Sequence, residues 1–497
     1  MFKKLKSHLY VLQLLEYNPR LFLDWVSKNY GYYPLEIKGK LGWSLKAKVL
    51  FLFSLLIRSI ISVGVITVLL IYMRGRGVDS SYLILFFPII LLLTYIVVSN
   101  LPALWLIIAS LFLSPLEKIQ KYLIINRAST KIKKAKNLKV IGITGSFGKT
   151  SVKHILNQIL SYKFKTLATP ESHNKILSVA QTVNRRLNSE TQVFIAEMGA
   201  YKPGEIKEIC RLVKPEIGVI TGITIQHLSR FETLEKIKKA KYELVESLPK
   251  DKSLAVFNLN NQGAKELYEK CPINKVGYST KELKIEVDSK ATTFDLFSQR
   301  VRTTLLGAQN VGNIEAAVAV AQFLDMPQES IIEAIANLKP IPHRLEPIMV
   351  APGTTILDDA YSSNIEGYLA TFNLIKSLNN YPKILVTPGL VELGKSQFDE
   401  NAKMAKEASK IFDYAVVVNL ENRVALTKGF LASGWTTYDR VEEEELSEWI
   451  PRYGGIEKDK IVYIADTLAK ATREIFPKIT KPNSLILLEN DLPDIYR

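Results

Sequence analysis

Two long apolar runs dominate the first quarter of the chain. Val49 to Met73 is interrupted by Arg58 and Ser59, and Tyr82 to Leu113 is broken by Pro88 and by Asn100-Leu-Pro102. Each exceeds the ~20 residues that a bilayer-spanning helix needs. The pattern predicts an α-helical transmembrane hairpin over 46–115, with spans at about 49–73 and 82–107. Residues 1–30 of the preceding segment, 1–45, alternate leucines and aromatics with basic positions at helical spacing. They fit an amphipathic helix at the membrane surface and equally a helix packed on a cytoplasmic domain. From about Leu138 the pattern changes to short apolar runs alternating with helical stretches. Strands are expected at Lys139–Ile143, Gln192–Ala196 and Pro215–Ile220, with helices at Ser151–Leu160 and Thr233–Leu248. Further strands are expected at Lys383–Thr387, Tyr414–Asn419, Lys460–Ile464 and Ser484–Leu488. This alternation predicts α/β architecture. A P-loop central parallel-sheet domain should occupy 138–340 and a C-terminal Rossmann-like domain 341–497, with Pro340-Ile-Pro342 between them and a basic linker over 116–137.

Charge sharpens this division. The net charge is +16, but residues 1–139 hold 20 Lys and Arg against 5 Asp and Glu, whereas the remainder holds 45 against 44. The basic excess lies with the apolar part, so it points to membrane lipid rather than nucleic acid as its partner. Lys38, Lys40, Lys46 and Lys48 precede the first run; Lys118, Lys121, Arg127, Lys131, Lys133, Lys134 and Lys136 follow the second. Basic flanks on both sides predict two crossings with both ends cytoplasmic, outnumbering Arg74 and Arg76 in the short loop between. The expected location is therefore the inner (cytoplasmic) membrane, multi-pass, with the α/β part in the cytoplasm. Two cysteines, Cys210 and Cys271, suit neither a disulfide framework nor a zinc ribbon.

The chemistry begins at VIGITGSFGKTSVK, residues 140–153. A buried strand, a glycine turn and a helix start present backbone N–H groups and a positive dipole end to phosphate. Thr144, Gly145, Ser146, Phe147, Gly148, Lys149, Thr150 and Ser151 form this loop. Lys149 can reach phosphates and the Thr150 hydroxyl can ligate Mg²⁺. The strict pattern would have glycine where Ile143 stands. Glu197, at the end of a strand pattern, suits a second oxygen ligand to Mg²⁺, although a lone Glu there is as often a surface group. His227 and Lys241 taken singly are more often structural and solvated, respectively.

Together these segments resemble the Mur ligase family, ATP-dependent amide-forming enzymes of cell-wall precursor synthesis. TGSFGKTS is similar to its TGxxGKT[ST] loop, which also lacks the first glycine. AEMGAYKPGEI resembles a block of the D-alanyl-D-alanine-adding branch, and GITIQHLSRFETLEKIKKAKYELVESLP its histidine-to-lysine segment. LLGAQNVGNIEAAVAVAQFL resembles the family's asparagine block and HRLEPI the start of its last domain. LDDAYSSNIEGYLATFNLI and PGLVELG are similar to D-D-x-Y-N-x-N-P-x-S and G-x-M-x-E-L-G. The resemblance covers 138–497. It departs at Gln309 (usually His), at Ser362 and Ile365 (usually Asn and Pro) and after Asn174, where a usual glycine is missing. The family's uridine-gripping N-terminal domain is not recognisable, and the apolar runs stand in its place.

The resemblance implies ATP and Mg²⁺, two ions in all. Thr150, Glu197 and His227 would be metal ligands, and Lys149, His227 and Lys241 catalytic, with Lys241 carbamylated. Asn310 and Asn313 would lie on the adenine side, with Arg344 and Asp358 reaching phosphate and ribose from the last domain. Asn174, Tyr361, Asn364 and Glu392 would contact the substrates, a peptide-bearing wall precursor and an amine such as a dipeptide. Two other functions share these features: a membrane-associated poly-γ-glutamate or capsule synthase-like ligase, and a non-catalytic membrane scaffold with a nucleotide-binding fold.

Overall fold

A computed structural model describes residues 2–15, 17–28, 41–77, 79, 85, 87–94, 101–224, 231, 233–288, 290–351, 353–361, 364–380, 382–391, 393–418, 421–438 and 460–490. The chain divides into two units, one ending at Tyr122 and one beginning at Leu123.

In the first unit, helices Phe2–Leu14, Pro19–Lys28 and Leu45–Gly75 are followed by the start of a helix over Pro102–Lys134. Leu5, Leu9, Leu12 and Phe22 pack with Ala47, Leu50, Leu106 and Ala109. The N-terminal helices therefore bury their apolar stripe against the foot of the long helix. Farther along that helix Leu52, Leu56, Ile60, Val63, Val68 and Ile71 are exposed. Leu45–Gly75 and Pro102–Lys134 are long and apolar enough to cross a membrane by length and composition alone. The second begins close to where the span over 82–107 was expected to end. Pro102 explains the boundary, since proline lacks the N–H that a first helical turn leaves unused and pre-sets the helical φ. The stretch expected as a basic linker, 116–137, is mostly the C-terminal half of this helix. Ile124, Ala128 and Ile132 recur every four residues and pack in the core of the second unit, where Asn184 Nδ2 donates to the Ile124 carbonyl at 2.9 Å.

The second unit holds three sheets. Strands β1 (Lys139–Thr144), β2 (Thr166–Ala168), β3 (Val193–Glu197), β4 (Ile217–Ile220), β5 (Leu254–Asn258) and β6 (Lys275–Tyr278) form a parallel sheet in the order β2-β3-β1-β4-β5-β6. Successive residues of a strand face opposite sides. Ile141 and Ile143 enter one core with helices Lys149–Leu160 and Ala308–Phe323, and Val140 the other. Three short strands, β7 (Ile285–Val287), β8 (Thr292–Leu296) and β9 (Gln299–Thr303), form an antiparallel meander. The last domain holds β10 (Glu346–Ala351), β11 (Thr354–Asp359), β12 (Lys383–Thr387), β13 (Tyr414–Val418), β14 (Thr436–Tyr438), β15 (Ile461–Ala465) and β16 (Leu485–Glu489). Their order is β10-β11-β16-β12-β13-β15-β14, parallel except for β10. The edge strand β10 exposes Ile348, Met349 and Val350.

Two glycines set the depth of the helix Leu234–Glu246. Gly142 of β1 and Gly218 of β4 pair in register. A Cβ on Gly142 would meet Leu244 Cδ1 at 2.7 Å, and one on Gly218 would meet Leu244 Cγ at 3.1 Å. The bare backbone seats Leu244, and the helix lies close enough to the sheet to bury Lys241, one turn earlier. Gly218→Val should lift this helix and cost about 1–3 kcal/mol by overpacking. Urea unfolding would register it as a lower midpoint with an unchanged slope.

Candidate nucleotide and metal site

β1 is the strand where the sheet order turns, with β3 on one side and β4 on the other. Ligands of open parallel sheets bind at this kind of switch point, beyond the strand ends. The loop Gly145–Gly148 leaves β1 here. Ser146 N–H donates to the Gly222 carbonyl at 2.7 Å and Thr221 Oγ1 to the Phe147 carbonyl. A Cβ on Gly145 would strike Thr221 Oγ1 and stand 3.0 Å from the Gly222 carbonyl, so only glycine fits. Gly148, at φ 77°, takes the left-handed turn that starts helix Lys149–Leu160. The glycines that matter are therefore 145 and 148, and Ile143 is a buried strand residue that the loop does not need to replace.

Lys149 Nζ donates to the carbonyls of Gly145 at 2.9 Å and Ser146 at 3.0 Å. Burial lowers its pKa to about 8, opposed by the charge of Glu197. Glu197 ends β3 and pairs in register with Ile143. Its Oε2 accepts from Thr150 Oγ1 and Lys153 Nζ, each at 3.0 Å, and its Oε1 from Asn174 Nδ2 at 3.0 Å. Burial pushes the carboxyl pKa up, but the ammonium groups of Lys153 and Lys149 outweigh this and hold it below the usual range. Lys153, fully buried, also donates to the Glu171 carbonyl. A lysine on the first helical turn beyond the loop was not singled out from sequence. Its signal is a cation four residues after Lys149, on the helix face that turns inward.

The hard oxygens of Thr150 and Glu197 stand together at the phosphate loop, and this donor set suits Mg²⁺. His227, the expected third ligand, lies outside the described residues, as does Glu392. Among the described residues, His343, Glu346 and Asp358 also lie within metal-ligating reach of one another. Their arrangement is accounted for by hydrogen bonds: His343 Nδ1 pairs with Asp358 Oδ2 at 2.7 Å and His343 N–H donates to Glu346 at 3.1 Å.

Lys241 shares a cavity of about 60 Å³ with Gly145, Lys149, Asn174, Lys175 and Tyr201. Burial, with Lys149 and Lys175 adding like-charge repulsion, holds its amine well below the usual lysine range. The Asn310 side chain donates to the Leu306 carbonyl at 2.9 Å, and Asn313 to Asn310 at 3.3 Å. Asn313 also stands against Gly148. Arg344 faces the charges of Asp359, Glu197 and Glu489, so it links the acids of the last domain to the loop carboxylate. Its Nε is buried without a hydrogen-bond partner. Asp358 is turned to His343, while the neighbouring Asp359 accepts from Thr371 Oγ1 at 3.2 Å and Leu345 N–H at 3.3 Å. Burial raises Asp359 to about 6, opposed by Arg344. Tyr361 is exposed and tilted over the His343 ring at 4.7 Å. Asn364 is spent locally, its Oδ1 accepting from Gly367 N–H at 2.8 Å as the cap of helix Ile365–Ser377.

Fold and site define a phosphate-loop α/β protein whose second parallel domain supplies an arginine facing the loop carboxylate. Residues 143–321 match the family description of the Mur ligase middle domain. The chain is 30% identical over 299 residues to a UDP-N-acetylmuramoyl-tripeptide–D-alanyl-D-alanine ligase of Buchnera aphidicola, covering 56% of this chain and 65% of the relative. It is 32% identical over 269 residues to the Escherichia coli ligase of the same name, covering 52% and 59%. The chain thus spans less than two thirds of the length of these relatives. Among solved structures, MurF from Acinetobacter baumannii superimposes with a TM-score of 0.63 at 23% identity, covering 75% of this chain and 77% of that one. MurF from Thermotoga maritima in complex with ADP gives 0.60 at 20% identity, covering 75% and 80%. These confirm the expected α/β fold. They stand against the expected multi-pass inner-membrane location, for which two helices apolar by length and composition are weak evidence. Membrane lipid as a partner loses its support with it.

Two substitutions test the site. Lys149→Ala should lower kcat/KM for ATP at least roughly 100-fold with unchanged thermal stability, as loss of a preorganised charge does; near-normal steady-state turnover would exclude the phosphate assignment. Lys153→Met leaves Glu197 buried without its main counter-charge. It should cost about 3–5 kcal/mol in chemical denaturation, and Lys153→Met with Glu197→Gln should lose less than Lys153→Met alone.

Proposed function

We propose that this chain is an ATP-dependent peptide ligase of cell-wall precursor synthesis. It joins D-alanyl-D-alanine to the free carboxylate of a UDP-N-acetylmuramoyl tripeptide. The observation that carries this reading is the convergence of Lys149, Thr150, Glu197 and Lys241 around one phosphate loop. The names of the relatives supply the substrates.

A carboxylate does not react with an amine directly, because its oxygen is a poor leaving group. In the proposed reaction a carboxylate oxygen attacks the γ-phosphorus of ATP, the bond to the β-phosphate bridging oxygen breaks, and ADP departs with that electron pair. The amine nitrogen then attacks the acyl carbon, phosphate leaves, and the amine gives up a proton. The protein's part is positioning and charge neutralisation. The loop N–H groups and Lys149 hold the phosphates. Arg344, whose Nε has no hydrogen-bond partner among the described residues, adds positive charge near Lys149. Thr150 and Glu197 would hold Mg²⁺, which would screen phosphate charge.

Lys241 has a further role in this reading. Its buried amine favours the neutral form, which is the form that adds to CO₂. The nitrogen bonds to the carbon of CO₂ and loses a proton, giving a carbamate that turns a cation into an anion beside the loop. Lys241→Ala should be nearly inactive, and a short-chain carboxylate should restore part of the rate. Full activity of Lys241→Ala without added acid would remove this role. The function itself is tested by incubating the protein with ATP, Mg²⁺, UDP-N-acetylmuramoyl tripeptide and D-alanyl-D-alanine. Mass detection of the pentapeptide product with one ADP released per amide is the expected result, and ADP release independent of both substrates would refute the reading.

A further inference from the structure

We propose that Lys175 binds the carboxylate that is to be phosphorylated, an inference that rests on the ligase reading above. The cavity beside the phosphate loop is lined by Lys149, Lys175 and Lys241, and among the described residues no carboxylate lines it. Lys149 and the loop N–H groups form the phosphate wall. Lys175 stands with Tyr201 and Asn174 on another part of the lining. A carboxylate brought to the γ-phosphate meets strong like-charge repulsion, so its approach needs a cation placed apart from the one that serves the phosphates.

The structure fixes Lys175 in that place. Its backbone begins helix Ile176–Arg186, with Lys175 N–H donating to Ser178 Oγ at 3.1 Å and Ser178 Oγ to the Lys175 carbonyl at 2.8 Å. The preceding residue is tied twice, through Gly199 N–H to the Asn174 carbonyl at 2.8 Å and through the Asn174 side chain to Glu197. The Lys175 ammonium lies 3.4 Å from the Tyr201 ring centroid and 3.6 Å from Glu205 Oε2. Tyr201 is held in turn, its N–H donating to the same Glu205 oxygen at 2.7 Å. A partly exposed ion pair at 3.6 Å is weak. The ammonium can therefore share its charge with an incoming carboxylate without leaving the ring that positions it.

Lys175→Met keeps an alkyl chain on Tyr201 and removes the charge; Lys175→Arg keeps the charge. Binding of UDP-N-acetylmuramoyl tripeptide to the full chain, measured by calorimetry without ATP, is expected to weaken about tenfold or more in Lys175→Met. The KM for the tripeptide substrate should rise in parallel, with the KM for ATP within about twofold of wild type. Lys175→Arg should recover most of the loss. Equal tripeptide affinity in a folded Lys175→Met protein would overturn the inference, as would an effect confined to ATP. Failure of the wild type to bind the tripeptide at all would instead refute the ligase reading on which the inference rests.

Discussion

One buried carboxylate organises the second unit. Glu197 sits at the end of a central strand and receives a hydroxyl from the phosphate-loop helix, an ammonium from the same helix and an amide from the loop after β2. A charge placed so deeply is tolerated only when it is paired and hydrogen-bonded. Two separate segments are therefore obliged to converge on this strand end, and the Lys153 ammonium ties one to the other through the Glu171 carbonyl. The site is not an addition to a finished fold. The same bonds that stabilise the carboxylate place Thr150 beside it and Asn174 at the cavity wall.

The charges around this centre are graded. Lys149 and Lys241 lose proton affinity through burial, whereas Glu197 is kept ionised by its neighbours. Arg344 extends the network to Asp359 and Glu489 on the paired strands β11 and β16 of the last domain. Its burial lowers its affinity for the proton too, yet a guanidinium remains charged in any protein environment. The two domains thus share long-range charge at the loop in addition to direct packing, in which Leu306 enters the core of the last domain.

Much of this could be read from residues alone, and the reasons are local. The strand Lys383–Thr387 was bounded correctly because a run of buried aliphatics stops at Pro388. The loop Gly145–Gly148 was legible because strand, glycine and helix signals follow one another without a gap. Hydropathy runs on through Asn100, whereas a described helix begins at Pro102, a boundary that apolar character alone does not mark. Residues 116–137 looked like a linker because basic residues recur along them, yet Ile124, Ala128 and Ile132 share a face. Asn364, expected at a substrate, also caps a helix through its Oδ1, a local role that its spacing before Gly367 could have signalled. Lys153 could not be recognised because its importance lies in a carboxylate 44 residues away. His227 and Glu392 fall outside the described residues.

The edge strand β10 has a consequence for handling the protein. It runs antiparallel to β11, offers its outer backbone groups to solvent, and exposes three apolar side chains in succession, Ile348, Met349 and Val350. Natural sheets commonly guard such borders with lysine, proline or a covering element. Pro347 within the strand and the bulge between Met349 and Ala351 are its guards, and both leave the three apolar side chains uncovered. A solution of this protein at high concentration therefore carries a built-in route to sheet-to-sheet self-association, one that begins two residues beyond Arg344 and so couples colloidal behaviour to the most function-laden turn of the last domain.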